Sequence, residues 1–267
     1  MLSFLIAVAV AFPVWYVTGR DLGAGWGIVC GIAAFMAVQL LVALVIRRKV
    51  MAVNRELEEI MLDAQKKINR QLTLFQQRPG GNLRMMRQTI EKMQQDAVRR
   101  TLEETSRFDR FYKWNGMLRR QINTMKMQLH FQLREFDRVD ALLPKCFLAD
   151  ARSRIIRLVR MYRKEDPKLD DFYRRKCSRL KGDDGALAAL TYAWMKLKAG
   201  DKKQALAALV AAKKLSDNPT LIENYERLVN GKEKHFSNAN LGDVWYSLYL
   251  EEPKIKVQQQ RPQGRMF

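Results

Sequence analysis

The chain has 267 residues, a formal net charge of +20 and three cysteines. Arg20 and Asp21 cancel, so the excess of positive charge falls on residues 47–267, a length that suits one or two soluble domains. This balance favours anionic partners, and three isolated cysteines argue against a disulfide framework. Basic and acidic residues are interspersed, so solvated helix faces account for much of the charge.

Two apolar runs occupy the start of the chain, at residues 2–18 and 26–46. Each approaches the about 20 residues that span a bilayer. A cleaved signal peptide before a single span and a buried soluble hairpin are the alternatives. The first apolar run lacks the preceding basic residue that a signal peptide carries. The sequence therefore predicts a transmembrane hairpin in residues 1–49, with its turn at residues 19–25.

The orientation of this hairpin follows from its flanking charges. Arg47, Arg48 and Lys49 come directly after the second run, whereas the predicted turn holds one arginine beside one aspartate. An excess of Lys and Arg marks the cytoplasmic side. We therefore predict a multi-pass protein of the inner (plasma) membrane, with its N-terminus and residues 47–267 in the cytoplasm.

Small residues recur at four-residue spacing at the start of the second run. Gly23, Gly27 and Gly31 form one helix face that allows another backbone to approach closely. The face could join two copies into a homodimer or receive the first span of the same chain. The second alternative is favoured, because a hairpin already brings that span alongside.

Residues 50–113 carry two long stripes of apolar residues at helical spacing. The stripes are separated by Arg78-Pro79-Gly80-Gly81, a strong helix stop. We predict an antiparallel, coiled-coil-like helical pair close to the membrane.

Residues 114–251 also show helical spacing, without the alternating β-branched runs of strands. The most regular stripe covers residues 114–136. A shorter helix is predicted at 139–147, ended or bent at Pro144. Further helices are predicted at 151–162, from Asp166-Pro167 to 180, at 186–199, at 202–215, from Asn218-Pro219 to 229, and from Asn238 or Asn240 to 250. Residues 181–185 are predicted to form a loop and residues 252–267 a disordered tail. The predicted fold class is all-α.

One helical hairpin has the spacing of a repeat family. Within residues 186–219, the turn Gly200-Asp201 is followed by Ala205, Leu209 and Ala212 on the second helix. This unit resembles a tetratricopeptide repeat. The resemblance implies that residues 114–251 form a solenoid of stacked helical hairpins.

The unit departs from the family pattern at three positions. Ala189 stands where the family prefers Trp, Tyr192 where it prefers Leu, and Pro219 follows two residues late. The order of two spans, helices and repeats is also similar to that of the HemY-type inner-membrane proteins of bacteria.

The resemblance also implies a binding surface, because tetratricopeptide units line an inner groove with their first helices. The residues carried over to that groove are Leu187, Leu190, Trp194, Leu197 and Lys198. The competing interpretation of Trp194 is a core residue between Leu190 and Leu197. The implied function is a membrane-anchored adaptor that holds a protein partner, for example in assembling an envelope complex.

An alternative function rests on the basic helices of residues 152–181, which hold twelve Lys or Arg against four acids. Such a surface could bind anionic lipid headgroups or, less favoured, nucleic acid. The candidate residues are Arg152, Arg154, Arg157, Arg160, Arg163, Arg174, Arg175 and Lys176.

The sequence shows no motif for catalysis, for a metal or for a cofactor. His130 and His235 stand alone, and Gly80-Gly81 is not followed by the Lys-Ser or Lys-Thr of a phosphate loop. Asp170-Asp171 and Asp183-Asp184 fall where acids cap helices. We therefore expect a protein that is not an enzyme.

Overall fold

A computed structural model describes residues 2–77, 83–114 and 116–253. These residues form α-helices, short 3-10 helices and one π-helical turn, and no strand occurs among them. The prediction of an all-α fold is confirmed. The chain divides into an N-terminal unit, residues 1–147, and a C-terminal unit, residues 148–267.

The N-terminal unit begins with two apolar helices. Its described helices are α1 (Leu2–Leu22), α2 (Ala24–Gln76), α3 (Leu83–Glu104), α4 (Gly116–Gln132) and α5 (Phe136–Leu142), with 3-10 helices at Thr105–Phe111 and Leu143–Lys145. Both α1 and α2 are long and apolar enough to cross a membrane, and only 6% of the most apolar stretch of each is buried.

The connection between α1 and α2 is the single residue Gly23, with φ 95° and ψ 157°. Glycine adopts a positive φ without steric cost, whereas other residues rarely do. The predicted turn at residues 19–25 is therefore too long. α1 continues through Arg20 and Asp21 to Leu22, because neither charged residue prevents a helix.

Glycines bring the two apolar helices into backbone contact. A Cβ atom on Gly27 would lie 2.6 Å from Cα of Gly19, and one on Gly31 would lie 2.9 Å from Cβ of Trp15. The face that carries Gly27 and Gly31 is therefore covered by α1 of the same chain. Gly23 lies outside this face, in the turn.

We predict that Gly27→Ala destabilises the hairpin by about 1–3 kcal/mol, because the added methyl group overpacks a backbone contact. Gly25→Ala is the matched control, since a Cβ atom there meets nothing within 4 Å. Unfolding of the full chain in mixed micelles, followed by circular dichroism, measures the difference. Equal stability of the two variants would contradict the packing.

α2 is one uninterrupted helix of 53 residues, about 80 Å long at 1.5 Å per residue. It packs against α1, against α3 and against the 3-10 helix Thr105–Phe111. The predicted boundary at residue 49 falls inside α2, because Val53 and Leu57 continue the helical spacing of the apolar run. The helix stop predicted at residues 78–81 lies outside the described residues.

A small core holds α2 to the elements that come after α3. Val53 and Leu57 are buried against Phe108, Phe111 and Ile122. Since Ile122 belongs to α4, this helix is part of the N-terminal unit. The predicted boundary between residues 113 and 114 does not coincide with the division at residues 147 and 148.

The C-terminal unit consists of short helices. Those described are α6 (Ala151–Arg163), α7 (Leu169–Phe172) with a π-helical turn at Tyr173–Cys177, α8 (Gly182–Lys198), α9 (Lys202–Lys213), α10 (Pro219–Val229) and α11 (Asp243–Tyr246), with 3-10 helices at Glu233–His235 and Ala239–Leu241. Residues 254–267, most of the predicted tail, lie outside the described part of the chain.

Alanines allow α8 and α9 to approach closely. Ala189, Ala193 and Ala205 are at most 1% exposed and share a core with Leu209 and Leu221. Side-chain caps begin the helices around this core. An aspartate caps α6 and α9, at positions 150 and 201, and an asparagine caps α10, at position 218.

Two predicted segments near residue 180 differ from the structure. Residues 182–185 form the first turn of α8 and not a loop, because Gly182 adopts φ 61° and Gly185 leaves room for the carbonyl of Leu180. The helix predicted from Asp166 to residue 180 is reduced to α7 and the π-helical turn. Asp166 instead accepts a hydrogen bond from the backbone N–H of Lys168 at 2.9 Å.

The last predicted helix is also shorter. Gly242, with φ 62°, separates the 3-10 helix Ala239–Leu241 from α11. Asn238 is fully buried, donates a hydrogen bond to the carbonyl of Leu190 and accepts one from Asn224, each at 3.2 Å. This asparagine joins α8 to α10 and does not cap the last helix.

We predict that a fragment of residues 148–253 folds alone with a single cooperative thermal transition. Its core is contained within the unit, whereas a fragment that starts at residue 115 would expose Ile122 of α4. Circular dichroism and differential scanning calorimetry of the shorter fragment provide the test. A gradual melt without a calorimetric peak would contradict the division into units.

Candidate functional site

Trp194, which the repeat resemblance places in a groove, belongs to an aromatic cluster. Trp194, near the end of α8, makes edge-to-face contacts with Tyr162 of α6 and Trp245 of α11, at centroid distances of 5.9 and 5.7 Å. Trp245 is fully buried and Trp194 is half-buried. Edge-to-face pairs at these distances are favourable. The cluster joins three helices of the C-terminal unit.

The carboxylate of Glu251 binds both tryptophans of this cluster. Glu251 accepts a hydrogen bond from Nε1 of Trp194 at 2.8 Å and another from Nε1 of Trp245 at 3.0 Å. Arg163 also donates to the carbonyl of Tyr249 at 2.7 Å. Tyr249 has φ 55°, an uncommon conformation for a tyrosine. These contacts hold residues 245–251 over Trp194, so the chain itself covers part of the predicted groove.

The other predicted groove residues separate into core and surface. Leu190 is fully buried and Leu187 is 8% exposed, so neither is accessible to a partner. The reason is that α8 packs against α6, α9 and the π-helical turn. Leu197 packs on the core around α9. Lys198 is exposed, with its ammonium group 5.4 Å from the centroid of the Trp194 ring.

The neighbouring tyrosine pair carries a polar network. The rings of Tyr173 and Tyr192 stack in parallel with centroids 3.8 Å apart. The Tyr192 hydroxyl lies 3.0 Å from Asp170 Oδ1 and 2.8 Å from Gln204 Oε1, and Lys196 donates to Asp170 Oδ2 at 2.7 Å. Burial, and then the bond to Asp170, raises the pKa of Tyr192. Burial likewise raises the pKa of Tyr173. Both phenols therefore stay neutral.

We predict that Glu251→Gln lowers the free energy of unfolding of the C-terminal unit by about 1–3 kcal/mol. The neutral amide has one acceptor oxygen, so one indole N–H loses its acceptor and the bond to the other is no longer charge-assisted. Glu252→Gln makes the same chemical change at an exposed neighbour and should be close to neutral. Urea denaturation of residues 148–253, followed by tryptophan fluorescence, measures the difference. Indistinguishable midpoints for the two variants would remove Glu251 from the cluster.

Three of the eight predicted basic residues contact backbone carbonyls or an aromatic ring of their own unit. The guanidinium of Arg154 donates to the carbonyls of Leu148, Ala149 and Lys176 at 2.8–3.1 Å. Arg157 lies over the ring of Phe172, 4.9 Å from its centroid. The third is Arg163, through its bond to the carbonyl at residue 249. These side chains order the chain around α6, a role that charge counting alone did not predict.

The remaining basic residues are more accessible. Arg174 and Arg175 are exposed and share Asp171, with distances of 2.8 and 3.0 Å. The hydrogen bond from Arg174 lowers the pKa of Asp171. Arg152 and Lys176 are also exposed, while Arg160 is half-buried. Arg163 is exposed as well but donates to the carbonyl at residue 249, so we define the exposed basic set as Arg152, Arg174, Arg175 and Lys176.

The groups that could support chemistry are few. The described residues contain no group of three or more His, Cys, Asp or Glu side chains that could hold a metal ion. His130 is buried, and its Nδ1 lies 2.7 Å from Oε2 of Glu135, a partner that the sequence pattern does not indicate. Burial raises the pKa of the Cys177 thiol to about 12, so it stays protonated near neutral pH.

No family model, no curated protein and no solved structure matches the chain.

Proposed function

We propose that the protein is a membrane-anchored adaptor. In this proposal the α1–α2 hairpin crosses the inner membrane twice, and the later helices hold a protein partner in the cytoplasm. The observation that carries the proposal is the pairing of two long, apolar, outwardly exposed helices with a separate helical unit that has its own core.

The outer surface of the hairpin supports its place in a bilayer. Large apolar side chains point away from the helix contact, among them Phe4, Phe12 and Leu40, which are 57–63% exposed. Such a continuous apolar surface is costly in water and favourable in lipid. α1 has 21 residues and is about 32 Å long, close to the ~30 Å hydrocarbon thickness.

The ends of the hairpin support its orientation. Trp15, Tyr16 and Trp26 lie toward the turn and are 43–64% exposed, as suits an aromatic belt at one interface. Arg47 and Lys49 follow the opposite end and are exposed. The positive-inside rule then assigns the α2 extension and the C-terminal unit to the cytoplasm.

An adaptor role is supported by the arrangement of the C-terminal unit. α8, α9 and α10 are consecutive helices packed on a shared core. This arrangement is what a tetratricopeptide-like solenoid requires, and α2 with α3 could form the coiled-coil-like pair. The surface left for a protein partner includes Lys198 at the edge of the Trp194 cluster.

A second candidate function is favoured by the exposed basic set. Arg174, Arg175 and Lys176 are consecutive on the π-helical turn, and Arg152 is exposed on α6. Four such cations could bind anionic lipid headgroups or, with less support, a nucleic acid. A homodimer through other surfaces is compatible with either function.

Topology is tested by cysteine labelling in intact cells of a chain whose native cysteines are replaced by alanine. Gly25→Cys, beside the turn, should react with a membrane-impermeant maleimide from outside. Lys203→Cys, exposed on α9, should react only after permeabilisation. Labelling of Lys203→Cys in intact cells would contradict the proposed orientation, and extraction of the chain by alkaline carbonate would contradict its insertion.

The two functions are separated by replacing the exposed basic set with glutamine. If the protein is an adaptor, this glutamine variant should still cross-link to its protein partners. Lys198→Glu should lower the yield of those cross-links. A lipid or nucleic-acid binder should instead lose binding to anionic vesicles or to RNA. Lys203→Glu, with the same charge change at another exposed site, is the control for Lys198→Glu. Unchanged cross-linking in Lys198→Glu would contradict the assignment of Lys198 to the partner-binding surface.

A further inference from the structure

The segment between α3 and α4 contacts the first turn of α1. The backbone N–H of Leu2 donates to the carbonyl of Lys113, and Oγ of Ser3 donates to the carbonyl of Trp114, each at 3.2 Å. The N–H groups of a first helical turn have no partner within the helix, and the carbonyl of Lys113 supplies one for Leu2. The contacts place Lys113 and Trp114 at the end of the hairpin where α1 begins.

The same segment is fixed to α2 just beyond its apolar part. Phe108 and Phe111 are 1% and 5% exposed and pack against Val53 and Leu57. Arg107 pairs with Glu56 of α2. The segment is therefore held within about two helical turns of Lys49, at the level where the hairpin leaves its apolar surroundings.

This position is strongly basic. Residues 105–120 contain four Lys or Arg besides Arg107, which is paired, and one acid, Asp109. The guanidinium of Arg110 lies 4.9 Å from the ring centroid of Phe111, and that of Arg119 lies 5.8 Å from the ring centroid of Tyr112. Arginine and aromatic side chains in contact present charge and apolar surface side by side.

An apolar side chain is exposed within this basic surface. Met117 is 47% exposed, and Trp114 is half-buried beside it in the chain. Tryptophan is enriched at the headgroup level of membranes. An acidic soluble partner would account for the charge, but the position at the end of an apolar hairpin is specific to a membrane surface.

We propose that a basic collar binds the anionic headgroups of the leaflet from which α1 starts. The collar consists of Arg47, Arg48, Lys49, Arg110, Lys113, Trp114, Met117 and Arg119. Its cations contact the headgroups, while Trp114 and Met117 enter the interfacial layer. This inference rests on the proposed membrane insertion of the hairpin, and it concerns residues different from the basic set of the C-terminal unit.

The test uses the full chain in nanodiscs, with native cysteines replaced by alanine and an environment-sensitive fluorophore on Met117→Cys. Raising the phosphatidylglycerol fraction in phosphatidylcholine should shift the emission to shorter wavelength as the collar docks. Replacing Arg110, Lys113 and Arg119 with glutamine should weaken docking by on the order of 100-fold, or about fivefold for each residue. Each single variant is measured as well, so that the result does not depend on one triple variant.

The control variant replaces Lys203, Lys214 and Lys234 with glutamine, which gives the same change in charge at exposed sites of the C-terminal unit. It should dock like the parent chain. A second fluorophore, on Leu40→Cys in α2, reports hairpin insertion separately. If the label at residue 40 reports the bilayer while the label at residue 117 reports water, the collar alone is overturned. A label at residue 40 in water would overturn the proposed function, and emission at residue 117 independent of phosphatidylglycerol would overturn anionic recognition.

Discussion

When an apolar segment leaves water, its backbone N–H and C=O groups must form hydrogen bonds with each other. A single short segment achieves this by forming a helix. Under the proposed membrane insertion, α1 and the first part of α2, joined through one glycine, meet this constraint. α2 then continues as the same helix into a charged sequence. Because no break separates the apolar part from the charged part, the apolar part fixes the direction in which the charged part extends.

The polar part of α2 in turn positions the 3-10 helix Thr105–Phe111 and α4. Val53 and Leu57 provide the buried face on which Phe108, Phe111 and Ile122 pack, and these contacts hold the start of α4 beside the end of the hairpin. The C-terminal unit is stabilised differently, by alanine contacts between α8 and α9 and by a carboxylate shared between two indoles. Each unit therefore has its own source of stability.

Much of the fold could be predicted because it depends on the local spacing of apolar and helix-capping residues. The apolar runs predicted α1 and α2, and Asn218-Pro219 predicted the start of α10. The burial of Leu190 followed only from the competing core interpretation and not from the groove assignment, since a periodic stripe marks an apolar face without showing how many elements cover it. The role of Arg154 depends on three carbonyls that only tertiary structure brings together, so its positive charge alone suggested a surface contact.

The continuity of α2 across the end of the hairpin is the central claim, and a distance along the helix tests it most directly. Nitroxide labels at Leu41 and Leu62, both exposed, lie on the two sides of the basic residues at 47–49. An unbroken helix separates their backbones by about 32 Å, at 1.5 Å per residue. Pulsed electron–electron double resonance on the full chain in nanodiscs should give one narrow distribution near that value. A broad distribution, or a mean much shorter than about 32 Å, would show a hinge and contradict the account.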